Sequence, residues 1–122
     1  MNAENPWLMY AQDDYLAMEA LAGKGPFRAV CFHAQQVVEK LLKAKLYDAS
    51  LPIPKTHDLA VLAGLAKSPL PVADKDLQFL SSVYIESRYP PDLGLLQHGD
   101  PSQEDAERAA HIAKEVYVNL MP

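Results

Sequence analysis

Between Cys31 and Leu46 the chain reads CFHAQQVVEKLLKAKL, and its apolar residues return every three or four positions. That is the period of a helix with one buried face. Extended to its breakers, the pattern predicts a helix from Gly25-Pro26 to about Ala49. Its stripe is Phe27, Val30, Ala34, Val37, Val38, Leu41 and Leu42. The same period runs through Trp7, Ala11, Asp14, Met18, Leu21 and Ala22, opened by Asn5-Pro6 and stopped at Gly23. SLPIPK carries two prolines two residues apart and cannot be helix. Thr56 is then expected to cap a short helix, with Asp58 in its first turn and Leu59, Leu62, Ala63 and Leu65 turned inward.

A fourth helix is expected from about Ala73 to Arg88, carrying Leu77, Leu80, Val83, Tyr84 and Ile85, and ended by Pro90-Pro91. DLGLLQHG reads as a loop. The last helix is expected to take Asp100 as its N-cap, Pro101 as its first residue and Gln103 as the partner in a capping box. Its inner face is Ala106, Ala109, Ala110, Ala113, Val116, Tyr117 and Leu120. No segment sustains a two-residue alternation, so no strand is expected. The pattern predicts one all-α domain over residues 1–122, an up-and-down antiparallel bundle of four long helices and one short one.

Two helices break their own pattern. On the second, His33, Gln36, Lys40 and Lys43 stack in a row beside the apolar stripe, while Glu39 lies further round and is expected to face water. On the first, Asp14 falls in mid-stripe. A carboxylate turned toward a core is costly unless paired, and Lys40 and Arg88 are the candidate partners. Leu77, Ser81, Tyr84 and Arg88 form a further row on the fourth helix. These rows suggest one shared polar cluster of Asp14, His33, Gln36, Lys40, Lys43, Tyr84 and Arg88; the alternative is boundary residues whose stems lead their charges to water.

Composition narrows the chemistry. The 122 residues are 49% hydrophobic and 22% charged, enough for one core without disulfides. The single cysteine, Cys31, sits among apolar neighbours and reads as a buried thiol. The N-terminus lacks a leader pattern and no run approaches a membrane span, so a cytoplasmic protein is expected. A net charge of −5 repels nucleic acid, so any RNA contact needs a local basic patch. No two histidines lie three or four apart in one helix, no glycine-rich phosphate loop occurs, and no Ser or Cys has an adjacent base. No metal or cofactor is expected.

AQDDYLAMEAL, FHAQQVVEKLLKAKL, KTHDL and ESRYP, in this order and spacing, resemble the HEPN domain (higher eukaryote and prokaryote nucleotide-binding) over about residues 7 to 120. The resemblance implies a helical bundle, usually dimeric, often encoded beside a minimal nucleotidyltransferase with which it works as a toxin–antitoxin pair. Several such domains are metal-independent ribonucleases. Their site is an Arg, four to six residues, then a His, late in the bundle and shared between two protomers. His serves as acid/base on the ribose 2′-hydroxyl and Arg holds the phosphate, roles their chemistry suits. Here the corresponding Arg is Arg88, but the next histidine, His98, follows only after nine residues with two prolines and a glycine. Arg28 and His33 satisfy the spacing in the wrong helix and point about 140° apart. The catalytic motif is therefore not intact, and Arg88 and His98 remain its candidates. His57 reads as a helix-start residue and His111 as solvated. Three functions follow. The first is a nucleotide- or phosphate-binding homodimer partnered with a minimal nucleotidyltransferase. The second is a ribonuclease toxin, and the third a purely structural dimeric module.

Overall fold

The computed structural model describes residues 3–88 and 100–122, with only the backbone described for 86–88. The described residues form five helices and no strand. They are α1 (Pro6–Leu21), α2 (Phe27–Asp48), α3 (Leu59–Ala66), α4 (Asp74–Arg88) and α5 (Gln103–Leu120). The all-helical expectation holds, and the helix limits fall within about two residues of those read from the sequence. Prolines and glycines mark most of these limits: Pro6 opens α1, Gly23 and Gly25 follow it, and Pro52 and Pro54 follow α2.

Helix α2 is the axis of the molecule. It packs against each of the other four helices, most extensively against α1 and then α5. Asn5 sets how α1 meets it. The Asn5 side-chain oxygen caps α1 by accepting from the Trp7 N–H at 3.0 Å. Its amide nitrogen donates to the Ala44 carbonyl at 2.8 Å and to Asp48 Oδ1 at 2.9 Å. One buried side chain thus begins α1 and pins it to the end of α2, so the two helices run antiparallel. Val30, Ala34, Val37, Val38, Leu41 and Leu42 are buried along α2, as the stripe predicts. Alanines 106, 109 and 113 bring α5 close to α2, with Ile112, absent from the predicted face, also buried.

Three local expectations are corrected. Asp58, not Thr56, caps α3: its carboxylate accepts from the N–H groups of Ala60 and Val61, while Thr56 Oγ1 accepts only from the Asp58 N–H. A carboxylate next to the first helical residue reaches two orphan donors, which Thr56 stands too far back to meet. Ser102, not Asp100, caps α5, in a capping box completed by Asp105 instead of Gln103. Leu65, expected to turn inward, is 45% exposed. Of the short α3, which packs on α2 and α4, only Leu59 and Leu62 are buried, and Leu65 falls outside that covered side.

Candidate functional site

Asp14 lies in mid-stripe on α1, is 7% exposed, and meets two basic side chains from α2. His33 Nδ1 is 2.8 Å from Asp14 Oδ1, and Lys40 Nζ donates to Asp14 Oδ2. His33 and Lys40 are seven positions apart, two turns of one helix face, and the carboxylate bridges them. The pairing of Asp14 with Lys40 is one of the two the sequence offered. The side chain of the other, Arg88, lies outside the described residues, as does His98. The Lys40 and His33 side chains keep 22% and 27% of their surface accessible, so the basic edge of this cluster reaches solvent.

A second carboxylate, Glu39, sits on the same polar face and is 4% exposed, which overturns its assignment to solvent. Gln35 Nε2 donates to Glu39 Oε1 at 3.1 Å, Lys43 Nζ to Glu39 Oε2 at 3.0 Å, and His57 Nδ1 lies 2.8 Å from Glu39 Oε1. Burial opposes the Glu39 charge, but the hydrogen bonds from His57, Gln35 and Lys43 outweigh it and hold the carboxyl below the ordinary 4.5. Gln35, fully buried, also donates to the His57 carbonyl at 3.0 Å, and its own oxygen accepts from Gln36 at 2.7 Å. Both oxygens of this buried charge thus accept hydrogen bonds, the condition under which such a charge is tolerated.

The sequence missed Glu39 because a helical wheel grants every helix a wet side. At Glu39 that side is covered: His57, two residues before α3, folds across it, and Tyr84 of α4 packs on His57. Lys43, expected in one row with Lys40, instead serves Glu39 and lies 5.7 Å from the Trp7 ring centroid. The predicted cluster is therefore two adjoining clusters, one on Asp14 and one on Glu39.

Aromatic rings run from one to the other. Phe32 packs edge-on to His33 at 5.2 Å and near-parallel to Tyr84 at 5.9 Å, and Tyr84 lies 5.2 Å from His57. Because an ionised carboxylate only accepts, each histidine donates through Nδ1 and turns Nε2 away from it. Each Nε2 is then an acceptor in the neutral ring and a donor in the protonated one. The His57 side chain is 55% exposed, so its Nε2 is reachable. The arrangement can therefore offer two oriented imidazoles, one accessible ammonium and aromatic faces between them. Ser81, on the α4 row with Tyr84, has a buried hydroxyl oxygen with no hydrogen-bond partner among the described residues. Arg28 points elsewhere, 3.8 Å from Asp100 and exposed, and His111 is exposed on α5. Among the described residues no group of three or more His, Cys, Asp or Glu side chains is placed to hold a metal ion.

Comparison with known proteins places this architecture. In the crystal structure of TT1696 from Thermus thermophilus the fold recurs with a TM-score of 0.75 and 26% identity, over 98% of this chain and 97% of that one. No curated protein matches the chain. The model of the HEPN domain matches residues 5–119, which takes in Asn5, both carboxylate clusters and all five helices but the last residue of α5; the chain belongs to the HEPN-domain family.

Proposed function

We propose that this chain is a nucleotide- or phosphate-binding HEPN module that dimerises and works with a minimal nucleotidyltransferase in a toxin–antitoxin-type pair. The observation that carries the binding reading is the Asp14 bridge. It presents Lys40 and His33 side by side, each partly accessible, while its own charge offsets the lysine. A phosphate arriving there meets the Lys40 ammonium, which donates a charge-assisted hydrogen bond, with the His33 ring beside it. The exposed His57 ring, packed on the buried Tyr84, supplies a flat face suited to a nucleobase. Lys43 is excluded from direct contact by its burial against Glu39 and acts as a support. Gln36 bonds to Gln35 and Tyr84 packs between Phe32 and His57, and Arg88 joins the site only through the family resemblance.

Thermal unfolding with ATP, GTP, inorganic phosphate and tripolyphosphate tests this reading. Millimolar nucleotide is expected to raise the midpoint in the native chain and to lose that effect in Lys40→Ala and in His33→Ala. An unchanged midpoint with every ligand contradicts the reading. A second reading, a metal-independent ribonuclease, is favoured by the carboxylate-backed histidines, a geometry that supports acid–base chemistry. RNA cleavage that survives EDTA and disappears in Arg88→Ala or His33→Ala selects it over simple binding.

A further inference from the structure

The bond between Glu39 and His57 ties the middle of α2 to the segment that leads into α3. Its two ends differ sharply in exposure: the Glu39 side chain keeps 5% of its surface accessible and the His57 side chain 55%. A buried carboxylate thus stands behind a ring that faces water. The residue is held from three sides. Glu39 Oε1 lies 2.8 Å from Nδ1, Gln35 Nε2 donates to the His57 carbonyl at 3.0 Å, and the Tyr84 ring packs at 5.2 Å.

This arrangement has the parts of an activated nucleophile. The Glu39 carboxyl, held below its ordinary range, is ionised at neutral pH and only accepts. His57 therefore carries its ring proton on Nδ1, and in the neutral ring the Nε2 lone pair is left to solvent. A carboxylate behind Nδ1 raises the basicity of the other nitrogen. It also offsets the positive charge that spreads over the ring when Nε2 forms a new bond. His33 is backed by Asp14 in the same way, but its side chain is only 27% exposed and the accessible Lys40 ammonium stands beside it. His111, exposed on α5, has no such backing among the described residues. The charges bonded into this cluster or next to it in the chain are Glu39, Lys43, Lys55 and Asp58, two of each sign. The Asp58 carboxylate is itself engaged by the Ala60 and Val61 N–H groups as the cap of α3.

We propose that His57 Nε2 is a phosphoryl acceptor, taking its phosphoryl group from a phosphoramidate, the chemical class to which a phosphorylated histidine of another protein also belongs. In the step the Nε2 lone pair forms a bond to phosphorus, the bond from phosphorus to the donor's protonated nitrogen breaks, and the neutral amine leaves. No proton need leave His57: the Nδ1 proton stays in its bond to Glu39. The assignment is independent of any ligand at Asp14.

The test incubates the full chain with potassium phosphoramidate. Mass spectrometry of its peptides gives the rate at each histidine, and NMR identifies the ring nitrogen modified. His57 is expected to react at Nε2 at least about tenfold faster than His111, and Glu39→Gln is expected to bring that rate down about tenfold. In urea, with the chain unfolded, the histidines are expected to react alike, which separates the folded arrangement from local sequence. Equal rates at His57 and His111 in the folded chain overturn the proposal. So does a faster His33, reaction of His57 at Nδ1, an undiminished rate in Glu39→Gln, or a preference for His57 that survives in urea.

Discussion

Glu39 shows what a single residue can hide. A wheel puts it on the polar arc of α2, and the wheel is right about direction; it fails because the segment carrying His57 crosses that arc. Asp14 was legible for the opposite reason, since a carboxylate in mid-stripe announces that a cation must meet it. Removing Glu39 leaves Lys43 buried without its counter-charge, so Glu39→Ala is expected to cost about 3–5 kcal/mol in chemical unfolding. Glu39→Gln, which keeps the shape and an acceptor, is expected to cost clearly less; equal losses in the two variants would contradict the network. The pH dependence has a fixed sign. A carboxyl held below its unfolded value contributes stability that is fully present above about 4.5 and drains away as pH falls through the lower folded value. Stability measured from pH 6 down to pH 3 is expected to fall more steeply in the native chain than in Glu39→Gln, and parallel curves would contradict that assignment.

At the scale of elements, breakers and apolar periods made the helices readable, whereas caps and facing directions were less so. The α5 start offers Asp100, Pro101 and Ser102 in succession, each acceptable at a helix entrance. The fold selects Ser102 because Asp105, three residues on, returns a bond to its N–H at 3.0 Å. Ser102→Ala is therefore expected to cost about 1 kcal/mol, while Asp100→Ala stays within about 0.5 kcal/mol; the reverse order would restore the cap to Asp100. Asn5 carries more than any other cap, since it starts α1 and fastens it to α2. Asn5→Ala is expected to destabilise by about 2–3 kcal/mol, the sum of a lost cap and a lost buried hydrogen bond. A loss no larger than that of Ser102→Ala would show that the link to Ala44 and Asp48 contributes nothing. The outward face of α3 escaped the sequence reading, because eight apolar residues look like core until the neighbours on each side are known.

For the whole molecule, net charge and composition spoke against bulk nucleic-acid binding but left open what a local basic edge does. The bundle answers part of that. It threads α2 through the centre, so the polar face of its most buried helix becomes two carboxylate clusters instead of wet surface. Among the described residues no helix is long and apolar enough to cross a membrane. What the resemblance added, a dimer and a nucleotidyltransferase partner, comes from family pattern, since neither leaves a mark inside one protomer. In the proposed function the Asp14 bridge holds His33 and Lys40 for a phosphate. Long-range nitrogen–proton NMR of the histidine rings during an ATP titration tests it most directly. A saturable shift is expected at His33 Nε2, with His111 unmoved and the His33 response abolished by Lys40→Ala. A His33 signal that stays in place at saturating millimolar ATP, or that moves no more than that of His111, would contradict it.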